Sequence, residues 1–203
     1  MFKTIVLATM TWTVLSAGQP PGALPAGNFL SSMLPGPADR QEPRPKEAAP
    51  TAIIFVNCAE TLQKGTKASL SITGREQAGH LAKFLENEPV AAIYSPYNSC
   101  LVETVTPLAQ TKGCKVEYYR DACDDNPQVM RHILETMLER NDGKTIVVCA
   151  PSKSITSMAK MLGIREKDLK YSRGVFNEVL IVNVLGFGEA VAQKLNMNFQ
   201  KKV

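Results

Sequence analysis

Histidine is scarce in this chain. His80 and His132 are the two in 203 residues, and both fall in stretches with helical periodicity rather than at strand ends. Clustered positive charge is missing as well: the net charge is +4, and no run of Lys or Arg is longer than the Lys201-Lys202 pair. Nucleic acid is read by a basic stripe, so no nucleic-acid partner is expected. The five cysteines include no C-x-x-C spacing, which argues against a zinc site. The apolar run that opens the chain, Thr4 to Leu15, is too short for a comfortable membrane span.

What remains is an ordinary globular composition, 44% hydrophobic and 21% charged, with room for one domain plus tails. Residues 1–18 have one cation at Lys3, the apolar run, and small residues at Ser16, Ala17 and Gly18. This is the layout of a secretory signal peptide cut after Ala17 or Gly18; an uncleaved anchor is the alternative. Residues 19–50 hold eight of the thirteen prolines and no periodic apolar pattern. They read as an extended, disordered tether, with a small apolar patch at Phe29, Leu30, Met33 and Leu34.

From Thr51 onward strand and helix patterns alternate. Strands are expected at 52–58, 91–95, 115–119 and 144–150, and helices at about 74–87 (capped by Thr73), 99–112, 126–140 and 152–162. The segments "NEVLIVNV" and "EAVAQKLNM" flank "LGFG", an antiparallel hairpin closing the sheet edge. No helix follows the glycines of that turn, so it is no phosphate loop. The pattern predicts a three-layer α/β/α sandwich with a mostly parallel central sheet and a C-terminal hairpin over 51–203. Function in such sheets gathers beyond the carboxyl ends of the strands, which points to 57–61, 95–100 and 149–154.

Those stretches, "VNCAE", "YSPYNSCLVET" and "IVVCAPSKS", together with "LSITGREQAGHLAKFL" and "VTPLAQTKGCKVEYY", resemble the histidine phosphatase superfamily, the phosphoglycerate mutase-like fold, in its short secreted bacterial form. The corresponding family strings are V-R-H-A-E, Y-S-x-x-x-x-R-x-x-Q-T, V-V-G-H-S and L-S-x-x-G-x-x-Q-A-x-x-L-A-x-x-L. The resemblance implies a histidine nucleophile, two arginines and a second histidine around the phosphate, and an acid for the leaving group. A phosphoryl group is held and stabilised by fixed positive charge. At the matching positions this chain has Asn57 for the first arginine, Cys58 for the nucleophile, Cys100 for the second arginine and Ala150 for the second histidine, with Cys149 before it.

The resemblance therefore implies a remnant pocket made of Asn57, Cys58, Glu60, Cys100, Cys149, Ser152 and Lys153. One reading keeps chemistry there, a weak phosphatase or phosphate-ester binder using Cys58 with Ser152 and Lys153. A thiolate nucleophile needs cations or a helix terminus beside it, and each lost phosphate donor costs on the order of 3 kcal/mol in the transition state. A second reading makes Cys58, Cys100 and Cys149 a thiol redox or metal site. Cys58-Cys100 and Cys114-Cys123 are the disulfides to test, with five buried free thiols as the alternative. Glu60 is also read as a backbone partner or a solvent-facing group. Asp121, Asp124 and Asp125 read as a turn before a helix as readily as a reactive acid.

The expectation is a catalytically inactive pseudoenzyme, a binding or structural component of a secreted or periplasmic assembly. It would have a protein partner, membrane association only through a complex, and no cofactor or metal.

Overall fold

The structure, a computed structural model, describes residues 49–63, 68–169 and 176–200. The expected signal segment, nearly all of the tether and its Phe29 to Leu34 patch lie outside the described residues.

The strands are β1 (Thr51–Val56), β2 (Val90–Pro96), β3 (Val116–Tyr119), β4 (Thr145–Cys149), β5 (Glu178–Gly186) and β6 (Glu189–Asn196). The helices are α1 (Ile72–Phe84), α2 (Ser99–Lys112), α3 (Pro127–Arg140) and α4 (Ser152–Met161), followed by a single 3₁₀ turn at Glu166–Asp168 that the sequence pattern did not announce. All six strands form one sheet in the order β3-β2-β4-β1-β5-β6. β3, β2, β4 and β1 run parallel; β5 is antiparallel to β1, and β6 to β5. This is the predicted α/β sandwich with its C-terminal hairpin.

The near-continuous apolar runs of β1 and β4 exist because both faces of the sheet are covered. Successive side chains alternate: Ile53 and Phe55 join Ile146 and Val148 in a core closed by Met130 and Leu134 of α3 and Ile155 of α4. Ile54 and Val56 join Val147 and Cys149 in a second core, closed by Leu81 of α1 and Leu101 and Leu108 of α2.

Helix ends follow local chemistry. Asn98 caps α2 by accepting from the Cys100 N–H, and Gly113 ends that helix with φ 64°. Asn126 caps α3 ahead of Pro127. The cap of α1 is a correction to the expectation of Thr73: Ser71 accepts from the Gly74 N–H, and the helix begins two residues earlier than predicted, at Ile72. Ser71 is placed for this role because its own N–H is spent on the Glu60 carbonyl at 2.9 Å.

Candidate functional site

β1 and β4 end level with each other. Val56 pairs with Cys149, and the Ala150 N–H donates to the Val56 carbonyl at 3.0 Å. Residues 57–60 therefore leave the sheet beside 150–153, and the first turn of α2 enters from β2. This crevice is where an open α/β sheet keeps its ligands.

The loop after β1 is held by residues of the helix signatures. The Glu60 N–H donates to Gln77 Oε1 at 2.8 Å, and Ser71 Oγ donates to Glu60 Oε1 at 2.8 Å. Gly74 passes so near the Glu60 carbonyl that a Cβ there would collide with it. On the other side the Ala59 N–H donates to Thr104 Oγ1 at 3.1 Å, while that hydroxyl donates to the Cys100 carbonyl at 2.6 Å. Glu60 thus clamps the loop to α1 through its backbone and one carboxylate oxygen, in line with its reading as a hydrogen-bonding or solvent-facing group. Gln77 and Thr104 were not singled out as site residues, although the spacing of Ser71, Gly74 and Gln77 carried the signal.

Alternation along the strands decides which cysteines meet. Cys58 and Cys149 fall on the side of the sheet covered by α1 and α2, and Cys100 projects from α2 into the same core. Cys58 and Cys100 are close enough for each thiol to shift the other, with Cys149 also acting on Cys58. All five cysteines are free, so the expected Cys58-Cys100 pair is brought together as two thiols. The Cys58 S–H faces the Ala59 carbonyl at 3.2 Å and the Cys100 S–H faces Asn98 Oδ1 at 3.2 Å.

The Cys100 contact, and then burial, push the Cys58 thiol above its ordinary range. Cys100 is shifted downward, first by the Cys58 contact. Cys149 is wholly buried, and burial pushes its thiol up. Its expected pocket role is corrected to a core position, since it presents no surface to a ligand.

Asn57 is buried. Its Oδ1 accepts from Ser152 Oγ at 2.9 Å, and its Nδ2 has no hydrogen-bond partner among the described residues. Ala150 turns to the opposite face and packs in the α3 and α4 core, so the two consecutive β4-end positions 149 and 150 serve different sides. Lys153 projects to the surface, pairing with Asp124 at 2.9 Å with both side chains mostly exposed. Asp121 accepts from Ser154 Oγ and from the Cys123 N–H, fastening the loop before α3 to the first turn of α4.

The expected Cys114-Cys123 bridge is overturned. Cys123 lies in the core under α3 and α4, whereas Cys114 packs against the core under α1 and α2, so the sheet stands between them. Among the described residues no three ligand side chains are arranged to hold a metal ion. A cavity of about 460 Å³ lined by Thr51, Val184 and Phe187 opens at the amino end of β1, away from this crevice.

The sheet order, the helices on both faces and the crevice at the strand ends define an α/β domain of the phosphoglycerate mutase-like fold. Residues 54–123 match the model of the Histidine phosphatase superfamily (branch 1). That match covers about a third of the chain, and the domain is similar to the histidine phosphatase superfamily over those residues. No curated protein matches the chain.

Among solved structures, phosphoglycerate mutase from Bacillus anthracis superposes with a TM-score of 0.58 at 12% identity, covering 74% of this chain and 95% of that one. Phosphoserine phosphatase from Entamoeba histolytica, in complex with 3-phosphoglyceric acid, gives a TM-score of 0.57 at 16% identity, covering 72% and 96%. YhfR of Bacillus stearothermophilus gives 0.53 at 15%, covering 66% and 91%. These likenesses establish the fold.

Proposed function

We propose that the chain is a catalytically inactive histidine phosphatase-like protein, serving as a binding or structural component of an extracytoplasmic assembly. One observation carries the reading. Where β1, β2 and β4 deliver residues to the crevice, the side chains are an amide, two thiols and a methyl group: Asn57, Cys58, Cys100 and Ala150. None of these is a fixed cation.

Phosphoryl transfer depends on positioned positive charge around the transferred group. The cation in the first turn of α4, Lys153, is spent on Asp124 at the surface. Cys58 is a poor substitute nucleophile because no cation acts on it to favour a thiolate; the groups that shift its thiol are Cys100, burial, Cys149 and Thr104. The scaffold around the crevice is nonetheless intact, through Glu60, Ser71, Gln77 and Thr104. A retained scaffold without the charge that drives the chemistry suits recognition of a protein partner better than turnover. The extracytoplasmic setting rests on the signal-like layout of residues 1–18.

The test is hydrolysis of a chromogenic phosphate monoester by the full chain and by Cys58→Ser, with fractionation of the native host to locate the protein and sequencing of its mature amino terminus. No turnover above buffer, and a cut near Ala17, is the expected result. Turnover that Cys58→Ser abolishes would overturn the loss of catalysis. An uncut chain in the cytosolic fraction would overturn the setting.

A further inference from the structure

The crevice brings two sulfurs together on a braced frame. Ala59, the residue after Cys58, donates its N–H to Thr104, and the same Thr104 hydroxyl donates to the Cys100 carbonyl. One buried side chain of α2 thus ties both cysteine-bearing backbones. Asn98 Oδ1 accepts from the Cys100 N–H and S–H, each at 3.2 Å, which aims that sulfur. Cys58 is partly open to solvent, whereas Cys100 is 8% exposed and Cys149 is 0%. A disulfide needs a sulfur separation of about 2.05 Å; Cys58 and Cys100 pack in one core, and each thiol shifts the titration of the other.

We propose that Cys58 and Cys100 form a dithiol–disulfide site that exchanges with small disulfides of the glutathione class and staples the loop after β1 to α2. The pair's first proton leaves from Cys100; Cys58, the sulfur that solvent reaches, then passes its own proton to Cys100 and attacks one sulfur of the small disulfide, so that a mixed disulfide forms and one small thiolate leaves. Cys100 then loses its proton and attacks Cys58 Sγ, forming the internal bond and expelling the second small thiolate. The two protons end on the two released small thiols. The protein is oxidised by two electrons and the small disulfide is reduced by two.

The position of Cys100 in the first turn of α2 suits it to the resolving step. Contact with Cys58 holds its thiol below the ordinary range, and the backbone N–H groups of Leu101 and Cys100 act in the same direction, against burial and the Glu103 charge. The proposal is independent of the loss of catalysis, since the bond forms or fails whether or not the chain hydrolyses phosphate esters.

The experiment uses the reduced full chain, incubated with oxidised glutathione, quenched with acid, alkylated, and read by intact mass and peptide mapping. The wild type is expected to lose two hydrogens, to yield a cross-linked Cys58 and Cys100 peptide, and to revert with dithiothreitol. Cys100→Ser is expected to hold one glutathionyl group on Cys58, while Cys149→Ser and Cys114→Ser behave as the wild type. A stable adduct on Cys58 of the wild type, a bond from Cys58 to Cys149, or five alkylated thiols after prolonged exposure would each overturn the proposal. Should Cys100→Ser fail to fold, the wild-type peptide map decides alone.

Discussion

The Ala59 N–H donates to the Thr104 hydroxyl at 3.1 Å, across 45 residues of sequence, with Thr104 fully buried. The bond fixes where the loop after β1 leaves the sheet, and so where Cys58 stands against α2. It also satisfies a backbone donor that water does not reach.

Thr104→Val keeps the shape of the side chain and removes the oxygen that Ala59 needs. Leaving a buried donor unpaired costs about 1–3 kcal/mol. Urea denaturation is expected to register a loss of that size, and alkylation of Cys58 should quicken as the loop loosens. A loss below the error of the measurement would mean that Ala59 finds another acceptor.

Gly74→Ala tests the close approach of α1 to the loop. The added methyl group would meet the Glu60 carbonyl, which accepts from the Ser71 N–H, in a residue whose own N–H donates to Gln77. The predicted helix gain from alanine, about 1 kcal/mol, is outweighed by overpacking of about 1–3 kcal/mol. Net destabilisation in a thermal melt is the expected outcome.

Lys153→Ala should do little. Its bond to Asp124 joins two mostly exposed side chains, and such pairs contribute roughly 0–1 kcal/mol and are screened by salt. A change within about 0.5 kcal/mol is expected; a larger loss would show Lys153 bracing the crevice beyond this one pair.

The protein should weaken in alkali through its buried thiols. Burial, and then the Asp121 charge, push the Cys123 thiol from 9.0 up to about 12. Below pH 9 the thiol is protonated whether the chain is folded or unfolded, and its contribution is fully present. As pH rises from 9 the unfolded chain sheds the proton first, so stability falls until the folded thiol ionises near 12. Cys149 and Tyr119 shift in the same direction. Urea midpoints measured from neutral to strongly alkaline pH should fall for the wild type, and less steeply for Cys123→Ala.

The helices show how much of the frame could be read locally. α2 spans the expected 99–112, and the structure shows why: Asn98 caps its start and a left-handed Gly113 ends it, both acting within one turn. The α1 cap was misread as Thr73, because Ser71 is drawn into the role by the Glu60 carbonyl, a partner supplied by another part of the chain. Glu60 itself looked like a pocket residue for the same reason: what its carboxylate meets depends on where α1 packs.

The sequence by itself determined the order of strands and helices and the chemical character of the crevice. Both follow from near-neighbour patterning and from which residue types stand at the strand ends. Only the tertiary structure decided which of those residues meet. Cys114 and Cys123 are close in the chain yet lie on opposite faces of the sheet, whereas Cys58 and Cys100 are distant in the chain and share one core. The reason is that strand alternation, strand register and helix docking together assign each side chain to a face, and spacing along the chain contains only the first of these.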